Sequence, residues 1–140
     1  MIENIQSGQC FFSLSMAQLE VWREHVLFPG TAVHTVSARS IITGSLDPEK
    51  FGAALFSIWQ RHQALRLTPV PGEDGGEPMQ VECPAPDRMF DLHDVSDSCN
   101  PEGAAESLAA DLGRQAIPLD GGPTFRFNLI RFAPDRHIWV

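Results

Sequence analysis

Two guanidinium groups and an imidazole fall within six residues in the run Arg61-His62-Gln63-Ala64-Leu65-Arg66. Arginine's planar fork binds carboxylates and carbonyls through paired hydrogen bonds, and histidine can exchange a proton near neutral pH. The upstream sequence weighs on which of these applies. Phe51, Ala54, Leu55, Ile58, Trp59, His62 and Leu65 recur at helical spacing, so His62 completes an apolar face. It is therefore expected as a hydrogen-bonded core histidine rather than a proton carrier. Arg61 suits two roles equally: fixing a neighbouring loop, or stabilising the dipole of the helix it closes. Arg66, just past the helix and opening a strand, is expected to hold a neighbouring loop.

Other reactive combinations are thinner. Ser15 and Gln18 have the types and spacing of a capping box, which explains both without catalysis. Cys83, His93 and Cys99 match no compact zinc spacing and lack an evident fourth ligand, so no metal is expected. No Gly-x-Ser-x-Gly elbow is present, and no cysteine has a well-placed histidine beside it. The chain contains no His-His pair, and no catalytic residue is assigned to it.

These side chains need a scaffold. Cys10, Phe11, Phe12 and Leu14 predict a short strand leading to a helix capped by Ser15, with Leu19, Trp22 and Val26 on one face. Pro29-Gly30 ends that helix, and residues 32–43, rich in valine, threonine and isoleucine, predict a long strand. Asp47-Pro48-Glu49 carries every signal of a helix start. Strands are expected over 66–70 and 78–83, around an exposed loop at 72–76 whose two acids disqualify it as a phosphate cradle. A further strand is expected over 89–92. Asn100-Pro101-Glu102 opens a third helix with Ala105, Leu108, Ala109, Leu112 and Ala116 on its face. Phe125, Phe127, Leu129 and Phe132 then lead through Pro134-Asp135 into a hairpin. Alternating helices and strands predict an α/β (α+β) sandwich with three helices on a mixed sheet. Trp22 and Trp59 are expected in the core.

Composition bounds the partners. The chain has 140 residues, 43% apolar and 20% charged, enough for one domain or one lobe with a real core. A net charge of −8 argues against nonspecific binding to nucleic acid or anionic membrane, and it serves solubility. No secretory signal and no membrane-length apolar run are visible, and three scattered cysteines suggest reduced thiols in cytoplasm.

The motifs, taken in order, resemble the condensation domains of nonribosomal peptide synthetases. Ser15, Ala17, Gln18 and Trp22 fit Ser-x-Ala-Gln-x-x-x-Trp, and Arg61, His62, Leu65 and Arg66 fit Arg-His-x-x-Leu-Arg. Gly44-Ser45-Leu46-Asp47 resembles the Gly-x-Leu-Asp ahead of the intervening helix. The segment Ile117-Pro118-Leu119-Asp120-Gly121-Gly122-Pro123 resembles an apolar-Asp-Leu-x-x-Gly-Pro pattern with the acid shifted by one place. Asp135-Arg136-His137-Ile138-Trp139-Val140 is similar to the strand that leads into His-His-x-x-x-Asp-Gly. The chain departs from the pattern at Glu20, where a basic residue is usual, and at Leu67 and Pro69, which replace threonine and phenylalanine.

The resemblance implies the N-terminal lobe of a chloramphenicol acetyltransferase-like fold, residues 1–140 without an internal boundary, truncated before the catalytic motif. It implies amide formation between an acyl donor and an acceptor amine, both carried on phosphopantetheine of carrier proteins, with no cofactor bound directly. Arg61, His62 and Arg66 would then support the active site. Two other readings are a noncatalytic lobe that binds carrier proteins, and an acyltransferase of the same fold acting on an alcohol or coenzyme A. A lobe cut within a sheet would leave the strand at Val140 as an unpaired edge and favour self-association.

Overall fold

Ser15 holds an extended backbone while its hydroxyl accepts from the Gln18 amide, and the Gln18 side chain accepts from the Ser15 amide in return. That capping box starts helix α1, Met16–Leu27, directly after strand β1, Phe11–Ser13. The computed structural model describes residues 10–119 and 121–140. Within it the chain forms two compact units, neither of them continuous in sequence.

The first unit takes the chain up to His34, with Trp59–Pro86 and Ala116–Phe125. Its sheet is antiparallel, in the order β1-β4-β3, with β3 at Leu67–Val70 and β4 at Met79–Glu82. Register places Thr68 opposite Val81, and both are buried together with Cys83. Leu67 and Pro69 lie opposite Glu82 and Gln80 on the other face. Pro69 has no amide hydrogen to give a neighbour, and β3 is an edge strand where none is needed. Helix α1 buries no residue, and Val26 is 59% exposed, so the expected apolar face is shallower than its spacing suggests. Trp22 is half-buried.

The second unit comprises Thr35–Ile58, Asp87–Gln115 and Arg126–Val140. Its four-stranded sheet has the order β2-β7-β6-β5: β2 is Ser40–Thr43, β5 Asp91–Asp94, β6 Asn128–Ala133 and β7 Arg136–Trp139. Only the β5–β6 pair is parallel, which makes the sheet mixed as expected. Helix α3, Pro101–Gly113, lays Ala105 and Ala109 against Ile130, Phe132 and Ile138. Helix α2, Pro48–Arg61, begins as anticipated with Asp47 accepting from the amides of Glu49 and Lys50. Its Phe51 meets Phe90 and Trp139 edge-on, at 5.2 and 5.8 Å between ring centres.

Several expectations are corrected. The long strand over 32–43 shrinks to its last four residues, because β7 supplies a ladder only opposite Ser40–Thr43. Val33 and Val36 stay 69% and 94% exposed; β-branched residues make no strand without a partner. The strand expected over 89–92 begins two residues later, where pairing to β6 begins. Helix α3 stops before Ala116. Phe125 and Phe127 precede β6 rather than alternating along it, and Asn128, Leu129 and Ile130 are buried in succession. Consecutive burial of this kind marks a strand covered on both faces. The strand that reaches Val140 is no edge, since β7 is paired with β2 and with β6; the sheet's edges are β2 and β5.

Candidate functional site

Ala17 and Gln18 of the first motif, and Ala64 and Leu67 from within and just after the run that carries the second, line one cavity of about 410 Å³ in the first unit, whereas Arg61, His62, Leu65 and Arg66 do not line it. Leu14 and the α1 residues Ala17, Gln18 and Val21 form one wall. Ala64, from the short 3-10 turn Gln63–Leu65, joins Leu67 and Pro69 of β3 in another, and Gln80 of β4 adds the strand alongside. Leu119, from the segment resembling the apolar-Asp-Leu pattern, and Thr124, just after that segment, complete the described lining. Three motif-bearing stretches far apart in sequence thus share one apolar wall with few polar groups, the usual character of a ligand site.

A chain of amide hydrogen bonds fixes the polar part of that wall. Gln18 Nε2 donates to Gln80 Oε1 at 3.1 Å, and Gln80 Nε2 donates to the Ser13 carbonyl at 3.1 Å. The Gln18 oxygen meanwhile accepts from the Ser15 amide at 2.8 Å. The cap of α1 is therefore tied to β4 and to the end of β1. Neither Gln80 nor its partnership with Gln18 was foreseen; its place opposite Pro69 on the cavity face depends on strand register.

Arg66 does what a forked cation past a helix end can do. Its Nη1 donates to the carbonyls of Trp59 (3.3 Å) and Gln60 (2.6 Å), and its Nη2 to Glu82 Oε1 (3.3 Å). The guanidinium carbon lies 5.9 Å from the centre of the Trp59 ring. Gln63 Nε2 donates to the same Glu82 oxygen at 3.3 Å. The last carbonyls of α2 are thus satisfied by a cation that β4 also holds. Glu82 is a second residue the sequence did not single out, since only its strand register places it opposite Leu67.

Two other motif residues fall elsewhere. Helix α2 ends at Arg61, and His62 adopts an extended backbone (φ −107°, ψ 105°), which takes it off the helical face. His62 is exposed, not a core histidine, because the 3.6-residue period does not continue past the helix end. Arg61 is exposed in the last turn of α2. Leu65 is half-buried, whereas Trp59 is buried as expected.

Titratable groups outside the cavity are tuned by burial and pairing. Burial raises the Cys83 thiol, with the Glu82 charge adding to it, so this cysteine is a poor nucleophile. In the second unit burial lowers the His137 imidazole, and the Arg131 charge lowers it further. Asp94 accepts from Arg131, and from the amide and hydroxyl of Ser96, which together hold its carboxyl well below the usual range. Among the described residues no three His, Cys, Asp or Glu side chains group as a metal would require.

A family model for the condensation domain matches residues 9–140. The chain belongs to the condensation domain family. It is 31% identical over 130 residues to tyrocidine synthase 3 of Brevibacillus parabrevis, covering 92% of this chain and 2% of that protein. It is 35% identical over 125 residues to the phosphinothricin tripeptide synthetase PhsC of Streptomyces viridochromogenes, covering 87% of this chain and 11% of that one. The crystal structure of the starter condensation domain of rhizomide synthetase RzmA superposes with a TM-score of 0.81 at 28% identity, over 92% of this chain and 31% of that one. The fold is thus that of condensation domains, and the chain spans a small part of each of these relatives. No helix among the described residues is long and apolar enough to cross a membrane.

Proposed function

We propose that residues 1–140 form the N-terminal lobe of a nonribosomal peptide synthetase condensation domain that makes amide bonds. The observation that carries this reading is the convergence of Ala17 and Gln18, Ala64 and Leu67, and Leu119 and Thr124 on one cavity. In the reaction a donor acyl group arrives as a thioester on the phosphopantetheine of one carrier protein and the acceptor amine arrives on another. The amine nitrogen attacks the thioester carbon, the C–N bond forms, the C–S bond breaks, and the thiol leaves as the nitrogen loses a proton. Positioning of the two arms supplies much of the rate.

In this reading Arg61, His62 and Arg66 support the site rather than react. Arg66 anchors the end of α2 to β4, so Arg61 and His62 are presented from a fixed helix end. No catalytic residue is assigned within the chain, because the reacting histidine of the resembled pattern belongs to His-His-x-x-x-Asp-Gly. Cytoplasm, where thiols stay reduced, suits this chemistry and the three cysteines.

The test is a polypeptide joining these residues to a segment bearing that motif, supplied with donor-loaded and acceptor-loaded carriers. Transfer of the acyl group to the acceptor carrier, detected by mass spectrometry, is expected. Failure to condense any loaded pair would sink the reading.

A further inference from the structure

We propose that His93 and Asn128 form a polar pin that fixes the end of β7 at Val140, and that they are positioning residues for the motif beyond it. The pin stands on the geometry of the second unit. Its bearing on catalysis rests on the condensation reading, which places His-His-x-x-x-Asp-Gly after Val140.

Asn128 is the first residue of β6, and its amide donates to the Val140 carbonyl at 2.8 Å while the Val140 amide donates back at 2.9 Å. This is the outermost rung at that end of the β6–β7 ladder, and strand ends open more readily than interiors. The Asn128 side chain ties the same rung to a third strand: its Oδ1 accepts from His93 Nε2 of β5 at 3.1 Å. A carbonyl oxygen only accepts, so Nε2 carries the hydrogen. Asn128 is 3% exposed. The other buried polar side chains, Thr68 and His137, each keep a buried polar atom without a hydrogen-bond partner among the described residues.

Register puts His93 opposite Ile130, on the face that α3 covers, and Asn128 lies on that face two places earlier. Apolar side chains of the same shape would pack there without desolvating polar groups. A hydrogen-bonded pair adds direction instead, since a one-residue slip of β5 would turn His93 to the opposite face. That matters because β5 is an edge strand held by a parallel pairing to β6 alone. Asp94 and Arg131 tie the two strands again further along, away from Val140.

Amide hydrogen exchange of the full chain, followed by NMR, tests the pin. His93→Phe and Asn128→Ala should each speed exchange at Val140 about tenfold and leave Ile138, deeper in the ladder, unchanged. His93→Gln, whose amide nitrogen donates in the same way, should stay near wild type. Arg131→Leu, which breaks the other tie, should leave Val140 unchanged.

In the longer polypeptide bearing the His-His motif, His93→Phe and Asn128→Ala should lower kcat about tenfold with KM within about twofold. His93→Gln should restore kcat and keep the wild-type pH profile, because Nε2–H is present in this tautomer and in the charged ring alike. Unchanged exchange at Val140 in both variants, an equal rise at Ile138, or no rescue by glutamine would overturn the proposal. Faster exchange with kcat intact would overturn the positioning role. If the wild-type longer polypeptide condenses no loaded pair, the condensation reading and the positioning role fall together, while exchange at Val140 still decides the pin.

Discussion

Asn128, Leu129 and Ile130 of β6 are buried in succession, whereas β3 turns Thr68 inward and gives Leu67 and Pro69 to a cavity wall. The second unit's central strand has packing on both faces: Ile130 and Phe132 meet α3, while neighbouring Trp139 meets Phe51. The first unit's sheet buries one face and uses the other. The difference teaches where each unit can absorb change. A strand packed on both sides tolerates little volume change. A cavity wall leaves space that substitutions and ligands can fill.

The largest test of that contrast is Ile130→Ala, which should cost about 3–5 kcal/mol in urea unfolding because the site between β6 and α3 cannot collapse. A loss under about 1 kcal/mol would show that the second unit is not the tightly packed one. Arg66→Ala should cost about 2 kcal/mol, since it strips hydrogen bonds from two helix carbonyls and from Glu82. Arg66→Lys should recover only part of it, because a point charge cannot reproduce the fork.

Thr68→Val tests the buried face of the first unit. The Thr68 hydroxyl is buried with no hydrogen-bond partner among the described residues, so a near-isosteric methyl should stabilise by about 1 kcal/mol. A pH series addresses the second unit. His137 has a lowered folded pKa, so below about pH 6.5 the unfolded chain binds more protons and stability should fall with acidification. Stability is fully present above the unfolded pKa and declines as pH drops toward the folded one. In His137→Leu that part of the decline should vanish. Ala17→Phe, on the cavity wall, should change stability by less than about 0.5 kcal/mol; a larger loss would mean the wall is packed like a core.

Much of this was legible in the chain because it is local. Ser15 with Gln18, and Asp47 with Pro48, specify helix starts through groups three residues apart or fewer, and those starts were observed. The motifs that place the chain in its family are likewise read in order along the backbone. What lay beyond local pattern was the end of a period and the choice of a partner. His62 continued the apolar spacing on paper, yet one non-helical residue after Arg61 carried it into solvent.

The sequence alone thus determined the element types, the capped helix starts and the family, since short-range hydrogen bonding and periodicity encode them. Only the tertiary structure decided that residues 32–39 stay out of the sheet and that β7 lies inside it. It alone paired Gln80 with Gln18 and Glu82 with Arg66. Those outcomes depend on register between strands distant in the chain, and a one-residue slip would turn every such side chain to the opposite face.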